Sequence, residues 1–177
     1  MKKLNISRLI VSIIIPQLVG LIGSYFTSKP ITGWYETLSK PSFTPPNAVF
    51  GPVWIFLYLL MGISLYLIWN KGLENNNVRS AVNAFTIQLF LNLLWSIAFF
   101  GLQSPILGFI VIFILWLAII YTIRKFCPIS PLAAWLRVPY LLGVTFATIL
   151  NLFIVIMNWL YRAEFSGNIF INNLSCF

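Results

Sequence analysis

The chain has 177 residues, of which 60% are hydrophobic and 8% charged, with a mean hydropathy of +0.93. A soluble domain carries about 25% charged residues, so this composition excludes a water-soluble globule and marks an integral membrane protein. The formal net charge of +8 comes from cations scattered over the intervals between apolar runs, which fits membrane topology rather than a basic nucleic-acid-binding face.

The charged residues serve as boundaries. Between Arg8 and Lys29 lie 20 uncharged residues. This run exceeds the roughly 7–15 residues of a signal-peptide core, so it is read as the first helix. Lys40 and Lys71 enclose 30 more uncharged residues, and the later part of that interval is continuously apolar. From Ser80 to Ile123 there are 44, which as one helix would reach about 66 Å, twice a hydrocarbon core of about 30 Å. The chain must therefore turn back, and "GLQSP" supplies the means: Gly101 ends one helix, then Ser104 and Pro105 provide an N-cap and first-turn proline for the next. The last run, Leu132 to Tyr161, is interrupted only by Arg137.

These runs predict five spans, at about 8–27, 50–70, 80–101, 105–123 and 132–161. A bilayer leaves backbone groups no water to bond, so spans are helices or closed barrels, and the runs lack the strict alternation of barrel strands. The expected fold is all-α: one five-transmembrane-helix bundle over residues 1–161, with a polar tail at 162–177. A kink is expected at Pro139, inside the last span. Lys and Arg divide eight to three between the two sides, which places the N-terminus in the cytoplasm and the first loop outside. Without an Arg-rich, Ser-rich leader, a bacterial inner membrane is the expected location, with an outer or organelle membrane as alternatives. Cys127 and Cys176 fall on opposite sides and should not pair.

That first loop is unusual. "KPSFTPPNAVFGPVW", from Lys40, carries Pro41, Pro45, Pro46 and Pro52, each of which fixes φ and biases the preceding residue to extended geometry. A stiff loop loses little entropy on ordering and can serve as a lid. Trp34, Tyr35, Phe43 and Phe50 line it, and Trp54 and Tyr58 continue a ring stripe at i, i+4. On the third span Gln88, Asn92 and Ser96 make a polar stripe flanked by Trp95, Phe99 and Phe100. On the fifth, Gly143, Ala147 and Asn151 are small or polar at the same spacing, leaving room for a neighbouring helix or a ligand.

The segments "WYETLSKPSFTPPNAVFGPVWIFLYLLMGIS", "LNLLWSIAFFG" and "VPYLLGVTFATILN" resemble the tryptophan-rich sensory protein and translocator protein family. The resemblance runs from the first helix to about Asn158. It implies a five-helix bundle, often dimeric, that binds tetrapyrroles or other apolar ligands inside. It also implies ligand contacts at Tyr35 and Pro45 of the lid, at Trp54 and Tyr58, at Asn92, Trp95 and Ser96, and at Phe146, Ala147 and Leu150. Phe99, Phe100 and Gly143 complete the expected wall. Gly143 stands where family members usually have tryptophan, and the porphyrin-degrading activity proposed for bacterial relatives is attributed partly to that ring. The cholesterol pattern of other relatives is also broken, at Leu152 and by the absence of a spacer between Tyr161 and Arg162.

Histidine is absent, and the three carboxylates, Glu36, Glu74 and Glu164, sit outside the predicted spans. This argues against general acid/base catalysis in the bundle and excludes histidine-ligated haem. No cofactor is required. The expected function is a membrane receptor or sensor for flat ligands, porphyrin or haem foremost, with Lys29 and Lys40 meeting propionates. The alternatives are a facilitated transporter of such ligands, a porphyrin-degrading protein and a helix scaffold using faces such as Gly20 with Ser24. Expected partners are the ligand, membrane lipid and a second copy of the chain.

Overall fold

The computed structural model describes residues 5–174, with side chains described through Trp159; Cys176 and the side chains of the tail lie outside them. Helix α1 covers Ile6–Ile31 and opens with the Asn5 side chain accepting from the Arg8 N–H at 3.0 Å. A single turn, α2 (Trp34–Thr37), begins the lid, which leads into α3 (Asn47–Trp69). Helix α4 (Asn76–Ser96) runs into a π turn at Ile97–Gly101. Beyond it Gln103 takes a left-handed φ of 50° and Ser104 caps α5 (Pro105–Phe126), with Pro105 in the first turn as expected. Short α6 (Pro131–Trp135) precedes α7 (Val138–Leu174). Five helical stretches among these are long and apolar enough to cross a membrane, so the chain is a five-helix, multi-pass membrane protein.

The fifth span differs from the single kinked rod expected. It breaks at Leu136 and Arg137, between α6 and α7, so Pro139 is the second residue of α7 and not an interior kink. First-turn N–H groups have no intrahelical acceptor, and a proline there sacrifices no bond. Arg137 is also not a loop charge: its side chain is 0% exposed.

The bundle is packed in the manner of a membrane protein. Large apolar side chains such as Ile10, Leu18 and Leu21 of α1 face outwards, whereas the residues α1 buries are Ser12, Pro16 and Gly23. Lipid gives Leu no reason to leave the surface, so close backbone approach between small residues holds helices together. Pro16 cannot donate to the Ser12 carbonyl one turn before it. That carbonyl meets α3 at Gly62, where an added Cβ would lie 2.8 Å from the Ser12 oxygen and 2.6 Å from the Ile13 Cα. At this crossing and beyond it, towards Ile68, Met61, Phe85, Ile112, Ile119, Tyr140 and Val144 form a buried cluster. Towards the lid, a second cluster gathers Tyr35, Phe99, Phe100, Leu150 and Ile154.

Because both close atoms at Gly62 belong to backbone, Gly62→Ala is expected to destabilise the protein by about 1–3 kcal/mol. Thermal unfolding in detergent micelles would measure it, and an unchanged midpoint would contradict the crossing.

Candidate functional site

Between α1, α3, α4 and α7, under the lid, lies a cavity of about 620 Å³. Its aromatic wall is Tyr35, Trp54, Tyr58, Trp95, Phe99 and Phe100. Trp54 and Trp95 face each other with centroids 6.5 Å apart and planes 31° apart, and Trp95 stacks on Phe99 at 5.8 Å. Asn92, Ser96, Ala147 and Leu150 line it as well.

The π turn explains how consecutive Phe99 and Phe100 both reach the interior. The Leu102 N–H bonds to the Ile97 carbonyl at 2.7 Å, five residues back, which adds a residue to one turn and re-aims the side chains. Both rings are buried and stand 4.8 Å apart. Gly108 of α5 makes the space, since a Cβ there would meet Phe99 at 2.6 Å.

Three expected wall residues lie outside the cavity lining: Pro45, Gly143 and Phe146. Gly143 faces α3, where a Cβ would come within 3.1 Å of Leu57 Cδ1, so the missing indole leaves close packing there. Phe146 is 40% exposed and makes an edge-to-face contact with Phe43 at 6.1 Å. Phe43 also meets Phe153 at 5.4 Å. These rings anchor the lid to α7, and Pro45 belongs to the strap they hold.

The lid has polar anchors too. The Ser39 N–H donates to Asn158 Oδ1 at 3.1 Å, and Asn158 Nδ2 donates back to the Ser39 carbonyl at 3.0 Å, a reciprocal pair closing a long loop. Lys40 Nζ donates to the Tyr35 and Glu36 carbonyls at 2.7 and 3.2 Å and lies 4.9 Å from the Tyr35 ring centroid. The ammonium thus caps α2 and covers the tyrosine. Burial pushes the Tyr35 phenol above its ordinary value of 10.0.

Sequence reasoning missed the contribution of α1. Gln17, Gly20, Gly23 and Thr27 line the cavity, at spacings of three and four that put them on one face. Gly20, a helix-contact residue in the scaffold alternative, faces Tyr58: a Cβ there would strike the ring at 2.4 Å, so its bareness seats that tyrosine. Gln17 Nε2 donates to the Ile55 carbonyl of α3 at 3.1 Å. Leu18, Leu21 and Ile55 are exposed yet line the cavity, so it opens sideways through a cleft between α1 and α3.

The floor is polar and buried. Tyr58 donates to Asn92 Oδ1 at 2.7 Å, Asn92 Nδ2 donates to the Tyr140 hydroxyl at 2.9 Å, and Gln88 Nε2 donates to the same oxygen at 3.2 Å. Arg137 Nη2 donates to Gln88 Oε1. Gln88 and Asn92 were expected to face the interior; Tyr140 and Arg137 as their partners were not. Trp95 Nε1 and Asn151 Oδ1, both on residues lining the cavity, have no hydrogen-bond partner. The described residues contain no cluster of His, Cys, Asp or Glu able to hold a metal ion.

Residues 12–157 match the model of the TspO/MBR family. The chain is 46% identical to a tryptophan-rich protein TspO of Chlorobaculum tepidum over 140 residues, covering 79% of this chain and 89% of that one. It is 44% identical to a protein of the same name from Archaeoglobus fulgidus over 155 residues, covering 88% and 99%. It is 36% identical to the human translocator protein over 137 residues, covering 77% and 81%.

Two outcomes follow from this geometry. Tyr58→Phe removes a buried donor from Asn92 and should lower stability by about 1 kcal/mol, read as a shift in thermal midpoint; no shift would mean that the bond is idle. The raised phenol of Tyr35 contributes stability fully present below its unfolded value near 10.0 and lost as pH rises through the folded value. Alkaline titration should loosen the lid in the wild type, and Tyr35→Phe should remove that limb.

Proposed function

Because the chain belongs to the TspO/MBR family, we propose that it is a membrane receptor or sensor whose cavity binds flat, largely apolar ligands, with tetrapyrroles the leading class. The observation that carries this reading is a hollow inside the helix bundle walled by Tyr35, Trp54, Tyr58, Trp95, Phe99 and Phe100. Its volume of about 620 Å³ falls within the roughly 300–1,000 Å³ of small-molecule sites, and apolar walls with a few fixed polar groups are the usual composition of such sites. Broad rings offer contact area and offset stacking to a planar partner.

The sideways cleft suits a ligand dissolved in the bilayer. It passes between α1 and α3, meets Trp54 and Trp95, and rests under Tyr35. Lys40, engaged with α2, holds the lid rather than the ligand. Below the cavity Met61, Tyr140 and Val144 are each 0% exposed, and this packed layer supports a receptor over a carrier. Glu36 and Glu74 lie outside the spans, and no described residue lining the cavity offers a carboxylate for proton transfer.

Titration of the detergent-solubilised protein with protoporphyrin, read by tryptophan quenching, tests the reading. Saturable quenching is expected, with affinity reduced about two- to tenfold in Trp54→Leu and Trp95→Leu, the worth of one aromatic pair. Quenching that never saturates would exclude this ligand class. Protoporphyrin flux across liposomes carrying the protein should not exceed that of empty liposomes; faster flux would replace the receptor with a carrier.

A further inference from the structure

Arg137 is a fully buried cation, and among the described side chains no carboxylate pairs with it. It is the one charged residue among the buried polar residues described. Its guanidinium carbon lies 5.0 and 5.2 Å from the ring centroids of Phe85 and Phe126. Nη2 donates to Gln88, while Nε and Nη1 have no hydrogen-bond partner. Arginine keeps its proton, so a positive charge stands in the bundle, with two rings and an amide against it.

Such an arrangement is costly in lipid, and an intramembrane charge kept at that cost marks a functional site. Its hydrogen bonds lead to the cavity: Gln88 to Tyr140, Tyr140 to Asn92, and Asn92 to Tyr58, the last two lining the hollow. Every group in this chain is neutral. Neutral groups can orient dipoles around a charge but cannot cancel it, and in a medium of effective dielectric constant about 4–20 its field extends much further than in water.

We propose that Arg137 makes the cavity select anionic ligands, a flat apolar body bearing a carboxylate, over their neutral counterparts. The inference rests on the cavity being a ligand site, as proposed above, but not on the ligand being a porphyrin. Arg137 acts from beneath the wall, through its field and the Gln88–Tyr140–Asn92 chain. This distinguishes it from the lysines of the lid, whose influence salt would screen.

The experiment compares each acid with its neutral ester in one detergent, so that micelle partitioning cancels between variants. The two probe pairs are protoporphyrin with its dimethyl ester, and pyrenebutyrate with its methyl ester. Wild type and Arg137→Lys should prefer the acids. In Arg137→Gln and Arg137→Met the acid-to-ester affinity ratio should fall about tenfold, the effect of two unit charges on each other roughly 10 Å apart at a dielectric constant of about 20, while ester affinity stays within about twofold. Arg137→Met removes the charge without requiring a new polar partner, so it serves if the glutamine variant misfolds. The wild-type preference should also persist in roughly 1 M salt, where the Debye length is about 3 Å. An unchanged ratio in either folded neutral variant, a preference abolished by salt, or no wild-type preference in either pair overturns the role of Arg137. A response confined to the pyrene pair supports that role and overturns the tetrapyrrole reading instead.

Discussion

The contact between the Ser12 carbonyl of α1 and Gly62 of α3 sets the geometry on which the rest of the molecule depends. Pro16 leaves that carbonyl without its helical donor, and the absence of a side chain at Gly62 lets the two backbones meet. Helices pinned this closely at one level can diverge at another. Towards the lid Gln17 bridges the same two helices through the Ile55 carbonyl, and exposed residues of both, Leu18, Leu21 and Ile55, line the mouth of the cavity. In a bilayer, where apolar side chains gain nothing by leaving the lipid, such backbone contacts take the part that a hydrophobic core plays in water.

The two ends of the bundle do different work. One end is filled by Met61, Ile68, Phe85, Ile119 and Phe126, all at most 1% exposed, and it provides a rigid base. At the other end rings surround a hollow, and the lid is tied to α7 by Ser39 with Asn158 and by Phe43 with Phe146 and Phe153. Proline stiffening and side-chain ties act together, so the loop is a fixed roof whose ordering costs little. The polar chain from Tyr58 to Arg137 lies at the boundary between hollow and base. It satisfies the side chains of Tyr58, Asn92, Gln88 and Tyr140, which would otherwise be orphaned, while Arg137 Nε and Nη1 stay without a partner.

Much of this was legible in residue order. The spans, the turn at Ser104 and Pro105, the stiff first loop and the inward face of Asn92 and Ser96 follow from run length, capping chemistry and helical spacing, which are local properties. Trp54 and Trp95, which the family resemblance put on the wall, both line the cavity and lie in ring contact with each other. Phe146 and Gly143 show where the reasoning stopped. Their position on α7 was sound, but which neighbour each meets depends on helix rotation, and here those neighbours are Phe43 and Leu57. The wall supplied by α1 escaped notice because glycines and a threonine in an apolar run read equally well as helix contacts.

Arg137 marks the same division. In residue order a lone arginine only interrupts the last apolar run, and the break between α6 and α7 carries it inside, against Phe85 and Phe126. The sequence by itself determined that this chain crosses a membrane five times as helices with a proline-stiffened loop, because hydropathy and backbone hydrogen-bonding leave no other solution in lipid. Which faces enclose a hollow, which rings serve as anchors and where a buried charge lies were decided only by tertiary structure. Those outcomes depend on the rotation and crossing of helices set by backbone contacts between residues far apart in the chain.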